Sequence, residues 1–143
     1  MTTSTASAVW KGGLKSGTGE YSAASGAFKG GYTFATRFEA AKGTTPEELI
    51  AAAHAACFSM ALSAGLERAG TPVTSVATTA SCALEMVDGK PKITTMKLQT
   101  RGIVPGIDQP AFVKAAEDAK NNCPVSKALQ GNVTVVLDAK LES

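Results

Sequence analysis

From Leu49 to Leu66 nearly every residue is apolar or small, with no polar face at helical spacing. The stretch Thr44–Gly70 that contains this run opens on a helix-start signal. Thr45 stands as N-cap, Pro46 at the first helical position, and Glu48 completes a Thr-x-x-Glu capping box. It stops at Arg68-Ala69-Gly70, a cation in the last turn followed by glycine, with Pro72 just beyond. A helix that is apolar all round is expected to be buried all round. The run has about the minimum length for crossing a bilayer. His54, Ser59, Ser63, Gly65 and its alanine-rich composition favour a buried helix instead.

Before this helix the period is shorter. Ala6–Lys11 and Thr18–Ala23 read as strands separated by Gly12-Gly13 and Ser16-Gly17 turn signals, and Gly30-Gly31 is a further break. Tyr32–Phe38 alternates, which predicts a strand with Tyr32, Phe34, Thr36 and Phe38 on one face and Arg37 on the other. After the helix, Val73–Val87 places Val76, Thr78, Ala80, Cys82, Leu84 and Met86 together. Asp88-Gly89 signals a hairpin, and Lys92–Ile103 returns with Met96 and Leu98 opposite Lys97, Gln99 and Arg101. Asp108 can cap a helix over about Pro110–Asn121, a short helix is expected at about Pro124–Leu129, and a strand at Val133–Leu137. Strands in runs with grouped helices predict an α+β fold with antiparallel pairing, in one domain over residues 1–143. A chain of this size has little material with which to cover an all-apolar helix, so a homodimer burying part of it is expected.

Composition narrows the function. The formal net charge is +2 with acids and bases interspersed, which gives no electrostatic footprint for nucleic acid or an anionic membrane. Met1–Ala8 has neither a basic start nor an apolar run, so no secretory signal is read there and the cytoplasm is the expected compartment. Three cysteines, with no CxxC and one histidine, argue against a disulfide framework and against a Cys/His zinc site.

The cysteines carry the chemistry. Cys82, on the apolar face of a strand, reads as a small hydrophobe. Cys57 is mid-helix, where core packing competes with a reactive role; Ala55, Ala56, Ser59, Ala61 and Ser63 would leave room near its sulfur. Cys123 precedes Pro124 and stands at or next to the cap of a short helix, where unpaired N–H groups favour thiolate; the alternative is that Asn122 caps and Cys123 merely packs. Together Cys57 and Cys123 can form a redox pair, in which peroxide converts one thiolate to a sulfenic acid and the other condenses with it. The attacking thiol needs a cation and a donor, which Arg37 can supply, although a solvated surface arginine is the simpler reading. Glu47 is the candidate to hold that arginine. Glu47 and Cys57 are ten residues apart, about 15 Å along one helix. If both serve one site, the spacing suggests that the glutamate comes from a partner chain. His54, one turn before Cys57, is expected to be a packed or interface residue.

Thr-Arg-Phe-Glu at 36–39, Gly-Thr-Thr-Pro-Glu-Glu-Leu-Ile-Ala-Ala-Ala-His-Ala-Ala-Cys-Phe-Ser-Met-Ala-Leu-Ser at 43–63 and Cys-Pro-Val-Ser at 123–126 resemble the OsmC/Ohr family, the osmotically inducible and organic hydroperoxide resistance proteins of bacteria. The resemblance extends over essentially the whole chain and is nearer the OsmC branch. It implies a thiol peroxidase that reduces organic hydroperoxides, and hydrogen peroxide less efficiently, in defence against oxidative and osmotic stress. Carried over, Cys57 matches the peroxidatic cysteine, Cys123 the resolving one, Arg37 the activating arginine and Glu47 its paired glutamate. The implied fold is an intertwined homodimer, two long central helices wrapped by antiparallel sheets, with sites at the interface. The implied chemistry uses no metal, haem or flavin, and an external dithiol, such as a lipoyl protein, resets the disulfide. The rival expectation is a non-catalytic dimer that binds an apolar ligand or senses redox state; a cysteine hydrolase using His54 is more remote.

Overall fold

The computed structural model describes residues 1–142. They form two compact units, Met1–Leu49 and the chain from Ile50 onward.

In the first unit β1 (Ala6–Lys11), β2 (Thr18–Ala23) and β3 (Lys29–Tyr32) make an antiparallel sheet in sequential order. Three aromatic residues tie it together, with ring centroids 5.5 Å apart for Trp10 and Tyr32 and 6.1 Å for Tyr21 and Tyr32. The strand expected over Tyr32–Phe38 is not formed beyond Tyr32. Instead Phe34–Phe38 is a short helix, α1. Thr33 caps it, accepting from the Thr36 amide while the Thr36 hydroxyl accepts from the Thr33 amide. A seven-residue alternation cannot separate the two periods, because positions 34 and 38 are neighbours on a helix as well as on a strand face. Here the rings of Phe34 and Phe38 meet at 5.0 Å, and the Thr-x-x-Thr cap decides the matter.

Helix α2 (Pro46–Arg68) starts where the capping signal places it, with Thr45 accepting from the Glu48 amide. Its first turn belongs to the first unit and the remainder to the second. In the second unit β4 (Ser75–Val87) and β5 (Lys90–Ile103) form the expected antiparallel hairpin. Asp88 and Gly89 both have positive φ, 52° and 76°, as a tight primed turn requires. Helices α3 (Gln109–Asn122) and α4 (Pro124–Leu129) then lead to β6 (Thr134–Glu142), which lies parallel to β5. The antiparallel expectation therefore fails at this pair. A strand reached through a long helical connection can enter the sheet in either sense, whereas a two-residue hairpin cannot.

The core lies between one face of this sheet and the helices. Ala51, Phe58, Leu62 and Leu66 of α2 join Met96 and Leu98 of β5 and Phe112, Ala116 and Ala119 of α3. Beneath α2, Ser59 donates to Thr78, which donates in turn to the buried Thr100, so these hydroxyls are satisfied. The opposite sheet face is polar, with Arg101 bound to Asp138 at 3.1 Å. On β4 the alternation is lost after the bulge at Ala83/Leu84, and Met86 is 64% exposed rather than inward. Burial all round α2 is also not observed. The residues buried from Ala51 onward are Ala51, His54, Phe58, Leu62 and Leu66, an i, i+3/i+4 stripe, whereas Ala52, Ala53, Ala56 and Met60 are exposed. One sheet and one helix layer can cover only one side of a helix.

Gly102 is set where β5 passes under α3. A Cβ there would stand 2.4 Å from Cε1 of the fully buried Phe112. Gly102→Ala should lower unfolding free energy by about 1–3 kcal/mol through overpacking, read as a lower denaturation midpoint with unchanged m-value. An unchanged midpoint would show that Phe112 has room to yield.

Candidate active site

Arg37 lies in the last turn of α1 and Glu47 in the first turn of α2. Nε and Nη2 of the guanidinium both donate to Oε1 of Glu47, at 2.9 and 2.6 Å. The carboxylate is buried, but the arginine side chain is 35% exposed. The pair is intrachain, so the glutamate holds the arginine of its own chain. Pairing with the ring of Phe38, 5.4 Å from Cζ, further restrains the guanidinium.

The second constellation is built on α2 and the α3–α4 junction. Cys57 is half-buried at mid-helix and Cys123 is fully buried. Cys123 is at once the last cap of α3 and the N-cap of α4, with Pro124 at the first helical position. Asn122 does not cap α4; its side-chain amide donates back to the Asp118 carbonyl. The sulfurs of Cys57 and Cys123 are 3.0 Å apart and unbonded, close enough to share one proton. Burial pushes the Cys57 thiol up, the hydrogen bond to Cys123 pushes it further, and the Val125 amide opposes both. At Cys123 burial also disfavours charge. Hydrogen bonds from Cys57, from the amide and hydroxyl of Ser126 and from the Val125 amide outweigh it and hold this thiol below its ordinary value.

Of two residues beside the pair, His54 was expected to be a packed or interface residue and Ser126 carried no reading. His54, one turn before Cys57, is fully buried, and its Nε2 lies 2.7 Å from Oγ of the buried Ser126, one turn after Cys123. The matching three-residue offsets were visible in the sequence, but not that α4 folds back against α2. Burial holds the His54 pKa below its ordinary value. Cys82 sits half-buried on β4, packed against the core as expected. Ala61, Ala64 and Gly65 of α2 and Ala115 and Ala119 of α3 line a groove of about 710 Å³, to which Arg68, Lys114, Asp118 and Asn122 also contribute. Among the described residues no three His, Cys, Asp or Glu gather in a way that could hold a metal ion.

Of the four residues singled out from the sequence, Arg37 meets Glu47 within the first unit, and Cys57 meets Cys123 within the second. Against known proteins, residues 39–138 match the family model described as OsmC-like protein. Peroxiredoxin OsmC of Escherichia coli (strain K12) is 49% identical over 137 residues, covering 95% of this chain and 94% of that protein. The crystal structure of the organic hydroperoxide resistance protein OhrB of Bacillus subtilis is similar with a TM-score of 0.77 and 28% identity, covering 95% and 98% of the two chains. An organic hydroperoxide resistance protein OsmC from Legionella pneumophila gives a TM-score of 0.72 at 26% identity, covering 95% and 96%. On the extent of the family match and of the identity, the chain belongs to the OsmC-like family.

Proposed function

We propose that this protein is a thiol-based peroxidase that reduces organic hydroperoxides through Cys57 and Cys123. The observation that carries the reading is the 3.0 Å approach of two sulfurs 66 residues apart in sequence. That distance is within about 1 Å of a disulfide bond. The relatives named peroxiredoxin and organic hydroperoxide resistance protein support the same reaction class.

In this mechanism the Cys57 thiolate attacks the distal peroxide oxygen. The O–O bond breaks, alkoxide leaves and is protonated to alcohol, and Cys57 becomes a sulfenic acid. Cys123 then attacks that sulfur, an S–S bond forms, and the hydroxyl leaves as water. An external dithiol, of lipoyl type or similar, reduces the disulfide by exchange and returns both thiols; the residues themselves need no metal or organic cofactor for these steps.

Within one chain Cys57 is pushed toward its protonated form by burial and by Cys123, so the nucleophile requires an added cation. Arg37, held by Glu47, is the group proposed to supply it, through the guanidinium edge that Glu47 does not occupy. Glu47 lies ten residues before Cys57 on α2, about 15 Å along the axis. We therefore assign the Arg37–Glu47 pair of one protomer to Cys57 of its partner, in a homodimer that covers Ala52, Ala53, Ala56 and Met60. Such a dimer would work as one OsmC-like domain per chain in the cytoplasm, with no nucleic acid or membrane partner. The groove along α2 and α3 favours a second reading, a dimer that binds an apolar ligand without turnover; peroxide consumption by the wild type separates the two.

Cys57→Ser should abolish consumption of cumene hydroperoxide, followed by loss of peroxide under excess dithiol. Cys123→Ser should complete one turnover and then stall with Cys57 over-oxidised. Undiminished steady-state turnover by Cys123→Ser would remove it from the resolving role, turnover by Cys57→Ser would remove Cys57 as the nucleophile, and no peroxide consumption by the wild type would leave only the binding reading. A second prediction concerns the partner's arginine. Arg37→Ala and Cys57→Ser should each be inactive alone. After unfolding and refolding as an equimolar mixture they should recover about one quarter of wild-type activity, because half of the dimers then contain one intact site. No recovery would place arginine and cysteine of each site in the same chain.

A further inference from the structure

His54 and Ser126 form a second tie between α2 and α4, parallel to the sulfur contact and one helical turn from it. Both side chains are buried, and Nε2 of the histidine is 2.7 Å from the serine oxygen. Nδ1 of His54 is buried with no hydrogen-bond partner among the described residues. A buried N–H without an acceptor is costlier than an unpaired imine nitrogen, so the proton belongs on Nε2. From there it donates to Ser126 Oγ. The serine hydroxyl proton is then free to point toward the Cys123 side chain, which stands at the N-cap of the same helix three residues earlier. The opposite tautomer would draw that hydroxyl proton toward the histidine and leave the sulfur without it.

Resting on the resolving role given to Cys123 above, we propose that His54 is a positioning residue for disulfide formation: through Ser126 it keeps a hydrogen bond aimed at the Cys123 sulfur and so holds that thiol ready to attack oxidised Cys57. In the step itself Cys123 Sγ bonds to Cys57 Sγ as the S–O bond of the sulfenic acid breaks. The departing hydroxide takes up the proton that Cys123 released on ionising and leaves as water, so no further oxidant or base is consumed. His54 remains neutral throughout, in keeping with its burial. The groups facing this relay are Cys57 of α2, Ser126 of α4, and Lys120, Asn121 and Gln130, which share a cavity with Ser126. Lys120, the charged one, is engaged with Glu117 at 3.1 Å.

The test is an ultraviolet titration of the thiolate in full-length protein carrying Cys57→Ser and Cys82→Ser, so that Cys123 alone titrates. No peroxide enters it, which separates its result from whether the protein is a peroxidase. His54→Leu and Ser126→Ala should each lower the thiolate fraction near neutral pH by about tenfold, with the double variant no worse than either. His54→Gln, whose amide can donate from a similar place, should restore most of the loss. In the otherwise wild-type protein, His54→Leu should also lengthen the life of the Cys57 sulfenic acid by about tenfold, measured by dimedone capture. A Cys123 titration curve unmoved by Ser126→Ala would overturn the proposal, as would an equal loss in His54→Leu and His54→Gln. Ser126→Ala removes one small hydroxyl, and so keeps the test decisive should His54→Leu fail to fold.

Discussion

A sulfur at mid-helix and a sulfur at a helix cap stand 3.0 Å apart, and packing rather than a covalent bond holds them there. Phe58, Leu62 and Leu66 fix α2 on the sheet; Phe112, Ala116 and Ala119 fix α3 beside it. Cys123 is where α3 stops and α4 begins, and Pro124 prevents the two from running on as one helix. The chain must turn at the sulfur, and α4 is then tied to α2 by His54 and Ser126. Each of these contacts restricts the position of one sulfur relative to the other, so little movement would be needed to close the proposed disulfide.

The same proximity creates an electrostatic problem. Two thiols in contact in a partly buried site share one charge rather than ionising independently. In a single chain burial and the neighbouring thiol push the Cys57 thiol up, against ionisation. For Cys57 to act first, positive charge has to reach it from elsewhere, and Arg37 with its buried carboxylate is a preformed unit suited to that. The dimer proposed above answers two needs at once: it supplies the cation, and it covers the apolar side of α2 that the chain leaves exposed.

Much of this was legible in the sequence because local signals were strong. The Thr45-Pro46-Glu48 start, the Asp88-Gly89 turn, Asp108 as a cap and Pro124 as a break each point to one geometry. Tyr32–Phe38 misled because aromatic residues at alternate positions also meet at helical spacing, and a threonine filled the place where a capping box ordinarily has Glu or Gln. The parallel entry of β6 is set by how α3 and α4 pack, which no local pattern encodes. At the site, the family motifs pointed to Cys57, Cys123, Arg37 and Glu47. Ser126 stood inside the quoted Cys-Pro-Val-Ser motif, yet its meaning depends on a long-range contact with His54, 72 residues away.

The most direct test of the redox pair is peptide mapping by mass spectrometry after one equivalent of an organic hydroperoxide, without reductant. The account predicts a single new cross-link joining the Cys57 and Cys123 peptides within one chain, reversed by dithiol, with the Cys82 peptide unchanged. A cross-link through Cys82, or peroxide exposure that leaves both Cys57 and Cys123 as thiols, would contradict it.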